Sequence, residues 1–168
     1  SIGLVFFARR MLEMTVDRKY ADVMERALYN GVLSGMAMDG KSFFYVNPLE
    51  VLPEASHKDS RKRHIRPVRQ KWSGCACCPP NLARLISSIG EYCFTENENT
   101  FFVHQFIGSK VNSDKATLEI ISSYTDNGKV KFIINPKEKF ILAVRIPSWC
   151  DNYKFSHSCE IKDGYAYF

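Results

Sequence analysis

The spacing of apolar positions changes near residue 93, and the change divides the chain. From Ile2 to Met14 apolar residues fall at Ile2, Leu4, Val5, Phe6, Met11, Leu12 and Met14, with Arg9, Arg10 and Glu13 between them. That spacing predicts a helix, apolar on most sides near its start and therefore buried there. Asp17 stands where an N-cap is wanted. Tyr20, Val23, Met24, Ala27 and Leu28 then mark one face of a second helix reaching Asn30. Asn30-Gly31 is a stop signal, although Val32 and Leu33 can prolong the helix. The two helices read as an antiparallel pair joined by a short turn. Asp39-Gly40, between Met36-Ala37-Met38 and Phe43-Phe44-Tyr45-Val46, is a hairpin turn signal. Pro48 and Pro53 punctuate a loop, and Asn81 to Ile89 reads as a further helix ending near Gly90.

Beyond Tyr92-Cys93 the pattern is one of strands. Residues 100–107, 116–122, 129–134 and 140–146 are rich in β-branched and aromatic side chains, which fit a pleated surface. Asn97-Glu98-Asn99, Asp126-Asn127-Gly128 and Asn135-Pro136 separate them, and the tail from Lys154 to Phe168 supplies one or two more. Short strands at this spacing predict an antiparallel sandwich. The chain therefore reads as α+β, helical over 1–93 and β over 94–168, with no repeat or low-complexity segment.

Composition narrows this only slightly. A length of 168 residues allows one large domain or parts of two, and 45% apolar residues is ordinary for a globular protein. No apolar run is long enough for a transmembrane helix. The start, with no basic region before its apolar run, does not read as a signal peptide. Because the chain opens in a helical pattern and closes in a strand pattern, it reads as a piece of a longer protein. Net charge is +5, and much of it lies in one run. Between His57 and Lys71 stand Lys58, Arg61, Lys62, Arg63, Arg66, Arg69 and Lys71 against Asp59 alone. The plain reading is a solvated loop. The sharper one, phosphate or nucleic-acid contact, lacks interleaved aromatics until Trp72. The run leads into the cysteines and can also shape a pocket.

The chemistry concentrates in Gly74-Cys75-Ala76-Cys77-Cys78-Pro79-Pro80-Asn81, where three of the six cysteines fall within four residues. Proline is tolerated in a helix's first turn, so Cys77 and Cys78 are predicted at or just before a helix N-terminus. The partial positive charge there favours a thiolate, the form that attacks carbon and binds metal. A buried small hydrophobe is the plainer reading for any single cysteine. A disulfide between adjacent cysteines is strained, and a zinc ribbon needs two separated Cys-x-x-Cys pairs, which the chain does not have. A metal site, a nucleophile, or both remain open. His57, His64, His104 and His157 have no partner spacing and read as structural or solvated. Trp72, Cys93, Trp149 and Cys150 read as packing.

Read with its neighbours, the cluster resembles glycoside hydrolase family 127, the β-L-arabinofuranosidases. The matching segments are Ser1-Ile2-Gly3-Leu4, Tyr20 through Asn30, Phe44-Tyr45-Val46-Asn47-Pro48-Leu49, Cys75 through Asn81, and Arg145-Ile146-Pro147-Ser148-Trp149-Cys150. The cysteine segment is the most specific. The resemblance implies the last part of an (α/α)6 barrel followed by an antiparallel β-sandwich. It implies Zn2+ held by an upstream Glu-x-Cys pair together with Cys77 and Cys78, with Cys77 also the nucleophile. The upstream pair falls just before Ser1 and the general acid/base glutamate further upstream, so these 168 residues alone are expected to be inactive. Glu25 and Tyr45 match positions lining the sugar pocket; the alternatives are a solvated helix charge and strand core. Cys75 matches a family cysteine not assigned to zinc. The implied reaction is retaining hydrolysis of a β-L-arabinofuranoside oligosaccharide, releasing L-arabinofuranose, with no nucleic acid, no membrane and a homodimeric parent. The competing class is a thiolate–metal binding module with a basic loop facing nucleic acid. Reactive thiols suit a reducing cytoplasm, with a secreted or periplasmic setting as the alternative.

Overall fold

The computed structural model describes residues 1–47, 50–58, 65–75 and 77–168, and not the side chains of Ala55 and Ser56. Pro48, His64 and the Arg61, Lys62 and Arg63 portion of the basic run lie outside the described residues. Two compact units are present: Ser1–Phe6 with Met24–Ser88, and Phe7–Val23 with Ile89–Phe168. No helix among the described residues is long and apolar enough to cross a membrane.

Helix α1 spans Ile2–Met14 and α2 spans Arg18–Arg26. Asp17 caps α2: its Oδ1 accepts the Lys19 N–H at 2.9 Å and its carbonyl accepts the Tyr20 N–H at 3.1 Å. The helical path does not stop at Asn30-Gly31. It widens into a π-turn over Ala27–Val32 and tightens into a 3-10 turn over Leu33–Gly35. Gly31 is needed there for closeness: a Cβ would stand 2.7 Å from that of Ser1, whose hydroxyl donates to the Gly31 carbonyl at 2.9 Å.

The Asp39-Gly40 turn forms, with Gly40 at φ 68° and the Ala37 N–H on the Ser42 carbonyl at 2.9 Å. Its arms do not become strands; they meet only in the single bridge Met36↔Phe43, and Phe43 bridges again to Gln70. Pro53 opens a short helix, α3 (Pro53–Lys58), where a loop was predicted. Helices α4 (Cys78–Ser87) and α5 (Gly90–Cys93) follow.

The strands are β1 Phe94–Glu96, β2 Thr100–Val103, β3 Ser109–Asn112, β4 Ala116–Ser123, β5 Lys129–Pro136, β6 Ile141–Arg145, β7 Glu160–Lys162 and β8 Tyr165–Tyr167, with a one-turn helix α6 (Tyr124–Asn127) between β4 and β5. One sheet has the order β1-β2-β6-β8-β7 and the other β3-β4-β5. The predicted purely antiparallel arrangement fails at one place. β2 pairs with β6 in parallel, from Thr100↔Ile141 to Val103↔Val144. A parallel partner needs a long crossover, and the chain makes it through the whole second sheet. β2 is also shorter than predicted, because the His104 and Gln105 N–H groups both turn to the Cys93 carbonyl, at 2.8 and 3.3 Å. Phe101, Val103, Leu142 and Val144 from one sheet and Ala116, Leu118 and Ile120 from the other join a single buried apolar cluster.

The same unit buries an unusual set of polar side chains. Arg145, 1% exposed, donates Nε–H to the His104 carbonyl at 2.6 Å and pairs through Nη1 with Asp22 Oδ1. His104 lies between the Thr95 hydroxyl at 2.7 Å and the Tyr165 hydroxyl at 2.8 Å. Hydroxyls can donate or accept, so they satisfy either tautomer of a neutral imidazole. Removing one partner of a buried ion pair leaves an uncompensated charge and costs about 3–5 kcal/mol. Asp22→Ala is therefore expected to lose that much in urea unfolding, and Asp22→Leu with Arg145→Met to recover most of it. Equal stability of Asp22→Ala and the parent would contradict a buried Arg145 charge that Asp22 compensates.

Burial, with the charges of Arg9 and Arg145, pushes the His104 pKa down to about 3. The folded state keeps His104 neutral while the unfolded chain takes up a proton below about 6.5, so the unfolded state binds more protons in that window. The His104 contribution to stability is then complete above about pH 6.5 and is lost towards pH 3 with a slope of up to about 1.4 kcal/mol per pH unit. Unfolding at graded pH is expected to include this slope, and His104→Gln to show a correspondingly shallower one between about pH 6.5 and 3.

Candidate functional site

The start of α4 sets the position of the sulfurs. Pro79 and Pro80 lie in its first turn, where the absent N–H groups have no helical partner to lose. Cys77 is the N-cap residue, with φ −85° and ψ −40°, and Cys78 is the first residue of the helix. The Cys77 carbonyl is held by the Asn81 side-chain amide at 2.8 Å, which leaves the exposed Cys77 Sγ projecting from a helix N-terminus.

Tyr45 arrives from the other side, at the end of a braced segment. Phe43 and Gln70 exchange backbone hydrogen bonds at 3.0 and 2.9 Å, and the Phe44 N–H donates to the Gly35 carbonyl at 2.8 Å. Arg69 donates to the Ser34 carbonyl at 2.6 Å and lays its guanidinium 4.5 Å over the Phe44 ring. This one member of the basic run is therefore engaged within the fold rather than solvated. Asn47 adds bonds to the Ser34 hydroxyl at 2.9 Å and the Gly31 carbonyl at 3.3 Å.

The result is a contact of 3.3 Å between Cys77 Sγ and the Tyr45 hydroxyl, with Cys78 Sγ 3.5 Å from Cys77 Sγ. The Tyr45 hydroxyl, then the Cys78 thiol, draw the Cys77 pKa down, while burial pushes that of Cys78 up. The same contact raises the Tyr45 pKa. These directions favour negative charge on Cys77 over Cys78 and over the phenol. A cleft of about 560 Å³ holds these groups, lined among others by Ser1, Asn47, Tyr45, Cys77, Cys78 and Asn81.

Cys77, Cys78 and Tyr45 thus come together. Tyr45 is 38% exposed on irregular chain, so it is not strand core. Glu25 is buried, not a solvated helix charge, and is not part of the cleft lining. Trp72, read as packing, is 78% exposed; Trp149 is largely exposed and tilts against Tyr124 at 6.0 Å. Cys93 is buried as packing, whereas Cys150 is only partly covered. His104 is structural, and His57 and His157 are exposed. Asn47 and Asn81 had not been singled out; both lie inside the matched segments, where their polarity was the available signal.

Among the described residues no group of three or more histidine, cysteine or acidic side chains is placed to hold a metal. The Cys77–Cys78 pair suits part of one. Two sulfurs bound to one tetrahedral zinc at about 2.3 Å stand about 3.8 Å apart, close to the 3.5 Å seen here.

Residues 1–91 match the model of the β-L-arabinofuranosidase GH127 catalytic domain. The chain belongs to the GH127 family. Residues 100–165 match the model of the GH127 middle domain. This GH127 chain is 36% identical over 157 residues to the non-reducing end β-L-arabinofuranosidase of Bifidobacterium longum, covering 89% of the chain and 24% of that protein. It is similar to the crystal structure of Ara127N-Se, a GH127 β-L-arabinofuranosidase from Geobacillus stearothermophilus T6. The TM-score is 0.86 at 48% identity, over 99% of this chain and 28% of that one. The GH127 β-arabinofuranosidase BT3674 follows with a TM-score of 0.80 at 30% identity, over 99% and 29%. The chain spans about a quarter of the length of the relatives it matches.

Exposure and ionisation together rank the thiols of the GH127 chain. Cys75 and Cys77 are exposed, and Cys93 is buried with its pKa pushed up to about 12. Brief alkylation of the native protein followed by peptide mapping is expected to label Cys77 first and Cys93 last. Early labelling of Cys93 would contradict the placement.

Proposed function

We propose that the chain carries the nucleophile and half of the zinc site of a retaining β-L-arabinofuranosidase. The observation that carries the reading is the exposed Cys77 sulfur at a helix N-terminus, hydrogen-bonded to Tyr45 beside a second thiol. The Cys77 thiolate attacks the anomeric carbon, and the bond to the leaving oxygen breaks as a carboxylic acid protonates that oxygen. The resulting carboxylate then deprotonates a water, which displaces the sulfur and restores the original configuration. The Tyr45 hydroxyl donates to Sγ before attack and again as negative charge returns to the departing sulfur. Zinc held by Cys77, Cys78 and the upstream Glu-x-Cys pair would keep the sulfurs deprotonated near neutral pH. Glu25 is proposed as a sugar contact on the family resemblance alone.

On this reading residues 1–93 are the last part of an (α/α)6 barrel and 94–168 belong to a β-sandwich. The apolar cluster shared by the two sheets supports the second assignment. The acid/base and the second ligand pair lie outside the 168 residues, so the isolated chain does not turn over. Exposed thiols suit a cytoplasmic setting. Cys77→Ser in the full-length protein is expected to lower turnover of an aryl β-L-arabinofuranoside by at least about a thousandfold. Turnover within tenfold of the parent would remove Cys77 as nucleophile.

A further inference from the structure

A second cavity, of about 330 Å³, lies beside the first and shares Phe43, Phe44 and Tyr45 with it. Its other walls include Trp72, Arg66 and Gln70. The size falls at the lower end of small-ligand sites, about 300–1,000 Å³, which are typically aromatic with a few polar groups. Trp72 is the least expected member. Tryptophan is highly buried on average, yet this one is 78% exposed, three residues before Cys75. An exposed indole in the wall of an aromatic cavity offers a flat apolar face, and Arg66 and Gln70 in the same wall offer hydrogen-bonding groups. The Gln70 side-chain amide is itself anchored on the Val68 carbonyl at 2.7 Å.

Tyr45 is the common wall. It lines both cavities, and its hydroxyl lies 3.3 Å from Cys77 Sγ. A glycosidase must hold both sides of the bond it cuts, and the group beyond that bond needs a place of its own. We infer that the Trp72 cavity is the leaving-side subsite, taking a further sugar residue whose C–H face stacks on the Trp72 indole and whose hydroxyls meet Arg66 and Gln70. This rests on the proposed hydrolase reading for the first cavity. The occupant is a sugar rather than a purely apolar group because the cavity pairs an aromatic face with guanidinium and carboxamide donors.

The test compares two substrates of the full-length protein: methyl β-L-arabinofuranoside, with no sugar on the leaving side, and a β-L-arabinofuranosyl-arabinose disaccharide. Trp72→Ala is expected to raise KM for the disaccharide about three- to tenfold, the range of one lost aromatic contact, with KM for the methyl glycoside unchanged. Trp72→Phe, which keeps an aromatic face and guards against misfolding, is expected to fall between parent and Ala. Equal effects on both substrates, or none on either, would overturn the subsite. If the parent hydrolyses neither substrate, the hydrolase reading fails first. Calorimetric titration of the disaccharide then decides the subsite separately: weaker binding by Trp72→Ala supports it, and unchanged or undetectable binding in both proteins refutes it.

Discussion

The chemistry of the cleft depends on one contact, the hydrogen bond between the Tyr45 hydroxyl and Cys77 Sγ. Each partner is fixed by its own chain segment rather than by the other. The Pro79-Pro80 helix start fixes the sulfur, because a chain with two prolines there has few other ways to begin a helix. The Phe43–Gln70 bridge and the Arg69 stack on Phe44 fix the phenol. A hydrogen bond between two preset groups costs little ordering when it forms, so it can bias the proton towards oxygen and the charge towards sulfur. Cys78 differs from Cys77 by one residue and much of its environment, and burial moves its thiol the other way.

The second unit solves a different problem. It places charge inside a β-rich core and must satisfy it. Arg145 has the Asp22 carboxylate and the His104 carbonyl, and His104 has two hydroxyls. Each buried polar group therefore supports another, and loss of one strands the next. Since α2 carries Asp22 and β6 carries Arg145, the pair also fixes a helix against a sheet within one unit.

The elements legible in the sequence were those set by local rules: α1 from its apolar spacing, the Asp17 cap, the Gly40 turn, and the Pro-Pro start that puts Cys77 at a helix end. What was not legible came from distance. Nothing near His104 announces Tyr165, and Asp22 on a helix face looks like an ordinary surface charge until Arg145 meets it. The parallel pairing of β2 with β6 is likewise a fact of topology, invisible in the alternation of either strand. The π-turn that continues α2 carries Gly31 against Ser1, a long-range approach that no local pattern announces. Trp72 misled for a simple reason: tryptophan is a core residue by habit, and only the cavity shows it open. Arg69 misled in reverse, since a member of a charge run reads as solvated until its stack on Phe44 is seen.

In the proposed mechanism a sulfur, and not a carboxylate, bonds to the sugar. Full-length protein treated with an arabinofuranose-configured covalent inactivator, then digested and sequenced by tandem mass spectrometry, locates that bond directly. The proposed mechanism puts the adduct on the peptide containing Cys77, at its sulfur. An adduct on an aspartate or glutamate, with Cys77 unmodified, would contradict it.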